Sequence, residues 1–341
     1  MLLKKYGLLI FLVSLLVLVV PGCSQEAETP AGNGEENVEG ETFTVGIVQI
    51  AEHPALDASR EGFLAGLAEA GYTEGQNLTV QYHSAQGDQS IALTIAQNLV
   101  NEGVDLILGI ATPAAQAAVT AAADSGTPVL FTAVTDPVIA ELVQSWEAPG
   151  VNVTGTSDLN PVEDQIELIQ TLNPAVKAIG VIYNPGEPNS VVQVELVKTK
   201  VAAMGLALEE VTVTNTSEVA QAAQSLVGKV EAIYVPTDNT AVQALASILQ
   251  VAEEHDILVV AGEGDAVKSG AVATVGIDYY TLGLETGRMA ARVLEGADPA
   301  TMAVVKGMDL GVSYTVNLAA AERMGVTIPE EILSKAEVVE E

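Results

Sequence analysis

Hydrophobic and polar positions along this chain alternate between two rhythms. Short apolar runs, "FTVGIVQI" from Phe43, "LTVQYH" from Leu78, "VDLILGI" from Val104 and "TPVLFTAV" from Thr127, are nearly continuous, as in strands whose two faces are both covered by helices. Between them lie stretches of helical spacing such as "ASREGFLAGLAEAG", in which Phe63, Leu64, Leu67 and Ala68 share one face. This βαβ repetition predicts an α/β lobe built on a doubly wound parallel sheet. From about residue 177 the same grammar restarts with "KAIGVIYN", a helix through "SVVQVELVKTKVAAMG", and then "LALEEVTV", "VEAIYVPT", "DILVVAGEG" and "AVATVGIDY". Both halves open with a strand exit, a polar loop containing Pro, an amphipathic helix and a Gly at the helix end, where left-handed backbone costs little. Two similar lobes are therefore predicted, although any α/β fold shares some of this punctuation. A length of 341 residues agrees, since single cores stop growing at roughly 250 to 300 residues.

The first 23 residues break the rhythm. Lys4 and Lys5 precede the apolar run "YGLLIFLVSLLVLVV", which is short for a membrane span and reads as an export signal. Val20, Pro21, Gly22 and Cys23 resemble a bacterial lipobox, which would place a diacylglycerol on Cys23, the single cysteine of the chain. A cleaved secretory signal with a spare thiol, or an uncleaved anchor, are the plainer alternatives. Residues 24–41 carry six Glu and no aromatic residue and read as a flexible tether.

Charge removes whole classes of partner. With 45 acidic against 13 basic side chains and a net charge of −32, the chain repels nucleic acid and anionic lipid headgroups. Enzymatic signatures are absent: the three histidines, His53, His83 and His255, form no H-E-x-x-H, and there is no G-x-S-x-G and no Walker A sequence. "EEHD" at Glu253–Asp256 reads as a solvated cluster at a helix end. No cofactor and no metal is expected, and the chain is read as a binding protein.

In open α/β sheets ligands sit beyond the carboxyl ends of the strands. The loops there contain Thr112-Pro113, Asp136-Pro137 and Asn160-Pro161 with Glu163, each read as a helix N-cap followed by Pro. Helix N-termini carry unpaired N–H groups and partial positive charge, so several of them hold a carboxylate without Arg. The second half offers Asn189, Ser190, Thr237, Asp238, Asn239, Glu263, Asp278 and Tyr279, whose carboxylates suit an ammonium group. Donors from one lobe and acceptors from the other favour a free amino acid as ligand. Ordinary capping explains any one of these loops equally well.

The segments "HPALDASREGF", "NVTGTSDLNPVEDQIELI", "YNPGEPNS", "VPTDNT" and "GIDYYTLGLETGRMAARVLEG" resemble the ABC transporter substrate-binding lipoproteins of the tryptophan/tyrosine type, which have the type I periplasmic binding protein fold. The likeness runs from residue 43 to about 330. It implies two lobes joined by a three-segment hinge: residues 42–155 with 280–305 as lobe 1, and 156–279 with 306–341 as lobe 2. It also implies an extracytoplasmic, membrane-anchored and monomeric receptor that delivers its ligand to an ABC permease and its ATPase. The cleft is expected at His53, Asp57, Thr112, Thr135, Asp158, Asn189, Ser190, Thr237, Asp238, Asn239 and Asp278. Thr112, Thr135 and Ser190 are the candidates for the ligand carboxylate. Asp238 and Asp278 are those for the ammonium, with Asp158 a weaker one. Tyr183, Tyr234 and Tyr279 lie at strand ends as an aromatic wall, Tyr183 and Tyr234 equally as core residues. Some relatives take aromatic amino acids. A sensory ectodomain, a sugar binder and an exported enzyme are the alternative readings; an aromatic content of 4% argues against a sugar cleft.

Overall fold

The computed structural model describes residues 42–340; the expected signal segment, Cys23 and the tether lie outside the described residues. The chain starts with β1 (Phe43–Gln49), α1 (Pro54–Glu69), β2 (Leu78–Ser84), α2 (Gln89–Glu102), β3 (Leu106–Ile110), α3 (Thr112–Ala122), β4 (Val129–Thr132) and β5 (Val153–Ser157). It continues through α4 (Val162–Leu172), β6 (Ala178–Tyr183), α5 (Pro188–Ala203), β7 (Ala207–Thr212), α6 (Val219–Leu226), β8 (Ala232–Val235), α7 (Asn239–Gln243), α8 (Leu245–Glu254), β9 (Leu258–Ala261), α9 (Gly264–Lys268) and β10 (Ala273–Gly276). Last come α10 (Tyr279–Leu294), β11 (Val305–Lys306), α11 (Gly307–Leu310), β12 (Ser313–Asn317), α12 (Leu318–Arg323), α13 (Glu330–Leu333) and β13 (Ala336–Val339).

Two sheets result. The first has the order β11-β5-β4-β3-β1-β2 and all its pairs are parallel. The second has the order β13-β12-β10-β9-β8-β6-β7, and β12 runs antiparallel to β10, so the second sheet is mixed at one edge. Each sheet has its own apolar core, one including Phe63, Phe131 and Leu108, the other Tyr234, Ile166 and Val259. In each the chain starts from the strand next to one edge, β1 in lobe 1 and β6 in lobe 2, and winds out to both sides of it. The winding direction reverses between β1 and β3 and again between β6 and β8, which opens a crevice at the carboxyl ends of those strands.

The first and third crossings fall slightly later than the sequence suggests, and the second slightly earlier. β5 stays in the first sheet through Ser157 rather than ending at 155, because Thr156 Oγ1 is hydrogen-bonded to Thr132 Oγ1 at 3.1 Å and Thr286 Oγ1 at 2.8 Å. The return helix α10 begins at Tyr279, and β11 pairs with Thr156 and Ser157 through Lys306. The chain therefore passes between lobes after residues 157, 276 and 306. The first two crossings are tied together: Ile277 N donates to Asn160 Oδ1 at 3.0 Å.

α10 lies against α1 at backbone distance. A Cβ at Gly283 would sit 2.0 Å from Ser59 O, and one at Gly62 would sit 2.0 Å from Tyr280 O. Only glycine permits this approach, and Ser59 Oγ completes it by donating to Tyr279 O at 3.3 Å.

Three expected helix caps are not formed as expected. α3 starts one residue early, so Thr112 is its first residue and the preceding Ala111 makes no side-chain cap. Asp136 does accept from Val138 N and Ile139 N, both at 2.9 Å, but it closes a turn with no helix after it. Asn160 does not cap α4; its carboxamide serves the crossing instead. At Asp136 a local turn and at Asn160 a tertiary partner outcompetes the intrahelical bond.

Candidate functional site

The two crevices face each other. Between them lies an enclosed chamber lined on the lobe 1 side by His53, Ala55, Leu56 and Ala133, and on the lobe 2 side by Asn189, Thr237, Asn239, Val242 and Glu263, with Asp158 and Tyr279 from the crossings. Its free volume is about 10 Å³, room for one water at most. Beside it a solvent-open cleft of about 440 Å³ runs between Asp88, Gln89 and Pro113 on one lobe and Asn184, Glu187, Thr240 and Gln243 on the other.

The lobe 2 wall is a buried polar network. Asp238 is 0% exposed; it caps α7 through Ala241 N at 2.7 Å and also accepts from Ser190 Oγ at 2.6 Å and Asn184 N at 2.7 Å. Burial, and then the negative charge of Glu187, push its carboxyl up to about 7. Glu187 accepts from the N–H and side chain of both Asn239 and Thr240. Gln193 clamps Thr237, receiving its N–H and donating to Thr237 Oγ1 at 2.7 Å. Glu263 caps α9 through Asp265 N and Ala266 N, and burial, followed by Asp265, pushes it up to about 8. Behind it, Gln165 donates to Gly262 O and Val275 O and accepts from Tyr234.

The lobe 1 wall is mostly apolar and is shaped by backbone. Ala111 and Ala133, at the exits of β3 and β4, have φ of 75° and 56°, a strain of order 1–3 kcal/mol each that persists only where the surroundings enforce it. His53 presents its ring to the chamber, and neither nitrogen has a partner. Burial lowers its pKa to about 4; Asn239, Asp57 and Asp265 oppose this less strongly, and none of them reaches a ring nitrogen in hydrogen-bonding geometry. At the base, Asp158 accepts from Thr135 Oγ1 at 3.0 Å and Tyr279 Oη at 2.6 Å. Burial raises its pKa, against the effect of those two hydroxyls.

Seven of the residues singled out by sequence line the chamber: His53, Asp158, Asn189, Thr237, Asn239, Glu263 and Tyr279. The others are placed elsewhere. Asp57 is engaged by Arg60 and Gln49. Thr135 and Ser190 support Asp158 and Asp238, and Asp238 itself lies beneath the wall. Tyr183 donates to Glu210 of β7, and Tyr234 is a core residue held by Gln165. Asp278 is an exposed cap of α10 that accepts from Thr281 N. It borders a surface depression with Thr281, Leu310 and Ser313 instead. Thr112 is buried without a partner for its hydroxyl and does not line the chamber. Glu263 carries more of the site than the loop reading gave it. Leu56, Ala133 and Val242 were not singled out; Leu56 and Val242 follow His53 and Asn239 by three residues, the spacing that returns a helix to the same face.

Chemically the chamber offers two buried carboxyls, a neutral imidazole and two carboxamides, with no Lys or Arg among its lining residues. That set suits a ligand bringing its own positive charge. Residues 44–340 match the family described as ABC transporter substrate binding protein. The chain is 42% identical over 294 residues to the tyrosine-binding protein of Clostridioides difficile, covering 86% of this chain and 85% of that one. A solved ABC domain from Streptococcus pneumonia in complex with L-Trp is similar at 38% identity, with a TM-score of 0.83 over 87% of this chain and 99% of that one. The ligand-free, open structure of a substrate binding protein with adhesive properties from Clostridium difficile is 39% identical over the same shares, with a TM-score of 0.66.

Proposed function

The chain belongs to the ABC transporter substrate binding protein family, a non-enzymatic class with the type I periplasmic binding protein fold, and from that premise we propose that it captures a free aromatic L-amino acid between its lobes. The observation that carries this reading is the chamber itself. Polar atoms without partners and two carboxyls, contributed by both lobes and a crossing, converge where no basic side chain balances them. The tyrosine- and tryptophan-binding relatives support the aromatic class.

The greater likeness to the L-Trp complex than to the open form at nearly equal identity supports reading the described arrangement as closed. In that arrangement His53, Leu56, Asn189 and Tyr279 crowd the chamber, so the amino acid enters when the lobes part about the three crossings and these side chains turn. The ammonium is assigned to Asp158 and Glu263. The carboxylate is assigned to the start of α3, where N–H groups and the helix dipole favour an anion and where Thr112, outside the lining of the closed chamber, keeps a free hydroxyl. Because the ligand bridges both walls, it stabilises the closed state over the open one, the condition for signalling to a permease.

The lipobox-like Val20–Cys23 supports an acyl anchor on the outer side of a membrane, with a permease and its ATPase as partners. Isothermal titration and thermal unfolding of the protein against the twenty amino acids test the ligand class. An aromatic ligand at about 100 times its Kd adds roughly 2.7 kcal/mol of stability; a shift with a sugar or nucleoside and none with any aromatic amino acid would replace this reading.

A further inference from the structure

Two residues on opposite walls of the chamber carry unused hydrogen-bonding capacity. Neither nitrogen of His53 has a partner in hydrogen-bonding geometry, and the ring stays neutral because its burial outweighs the opposing effects of Asn239, Asp57 and Asp265. A neutral imidazole has one N–H donor and one lone-pair acceptor. Asn189 faces it from α5. Its carboxamide orientation is set by Nδ2, which donates to Thr237 O at 3.0 Å, Glu187 Oε2 at 3.2 Å and Ser190 Oγ at 3.3 Å, leaving Oδ1 of this chamber-lining residue buried without a donor. The other polar linings are occupied: Thr237 by Gln193, Asn239 by Glu187, Tyr279 by Asp158.

We infer that His53 and Asn189 together read a hydroxyl group on the ligand's side chain, so that the chamber selects a phenol over a plain aromatic ring. This rests on the amino-acid reading above. A hydroxyl accepts from the imidazole N–H and donates to Asn189 Oδ1 in one contact. An indole N–H donates only, and leaves the imidazole N–H bare. A benzyl ring leaves all three atoms unsatisfied, and buried polar groups without partners are costly. A carboxylate would meet two acceptors, and an ammonium has stronger partners in Asp158 and Glu263. The expected affinity order is tyrosine, then tryptophan, then phenylalanine.

Titration calorimetry with these three amino acids tests the assignment on the wild-type protein and on His53→Phe, His53→Gln and Asn189→Leu. Wild type is expected to favour tyrosine over phenylalanine by about 100-fold, the effect of leaving buried hydrogen-bonding atoms unsatisfied. His53→Phe and Asn189→Leu should each reduce that ratio by about 10-fold or more. His53→Gln, whose amide keeps a donor and an acceptor, should hold part of it. A wild-type ratio near one, or a ratio unmoved by both His53→Phe and Asn189→Leu, overturns the inference while the aromatic reading stands. If none of the three amino acids binds wild type, the aromatic reading falls and takes this inference with it. If His53→Phe and Asn189→Leu lose all binding, His53→Gln decides: retained preference supports the pair, and lost preference with phenylalanine still bound overturns it.

Discussion

The two walls of the chamber stand on sheets of the same winding order, yet they are made of different material. Lobe 2 presents a lattice in which Asp238, Glu187, Gln193, Thr237 and Glu263 are each bonded to protein partners. Lobe 1 presents Ala55, Leu56 and Ala133, a strained strand exit and one unpartnered imidazole. The repeated topology dictates where the wall lies, because strand exits at a reversal of winding leave a crevice wherever they occur. It does not dictate the wall's chemistry. The lobe 2 wall, whose polar groups other than Asn189 Oδ1 are already satisfied, is organised before any ligand arrives, whereas the lobe 1 wall leaves an imidazole that only an incoming group satisfies.

That contrast can be broken from either side. The largest effect is expected in lobe 1: Gly283→Ala forces a Cβ into Ser59 O and should cost about 4 kcal/mol in denaturant unfolding, since backbone in a helix pair cannot give way as a side chain does. Asp238→Ala attacks the lobe 2 lattice, stranding Ser190 Oγ, Asn184 N and Ala241 N, and should cost about 3 kcal/mol by the same measurement. The smallest effect is a pH dependence specific to lobe 2. Glu263 is raised from 4.5 to about 8, so the folded protein keeps a proton that the unfolded chain releases, and stability falls as pH rises toward 8. His53, lowered from 6.5 to about 4, acts in the opposite sense only below pH 6.5. Between pH 6.5 and 8 wild type should therefore lose about 2 kcal/mol, with Asp238 contributing up to about pH 7. Glu263→Gln should remove most of that slope in urea titrations across the window.

Much of this was legible in residue order. Continuous apolar runs such as "LILGI" mark strands buried on both faces, and β3 is buried at every position. The restart near residue 177 coincides with β6, the strand from which the second sheet is wound. His53, Asn189, Thr237 and Asn239 were reachable because each follows a strand exit, where any α/β lobe gathers its ligand groups. Asp278 and Ser190 show the limit of that rule. Both stand at strand exits too, yet Asp278 caps an exposed helix start and Ser190 turns inward to Asp238.

Residue order by itself determined the strands, the helices, the two lobes and the loops worth inspecting, because periodic burial and turn chemistry act within a few residues. The tertiary structure alone decided which polar groups remain available. Asn160 gives its oxygen to Ile277, 117 residues away, Asp238 is closed over by donors from another helix, and His53 is left with none. A hydrogen bond is settled by whichever partner arrives at about 3 Å once both lobes are packed, and that distance is not written in any local pattern.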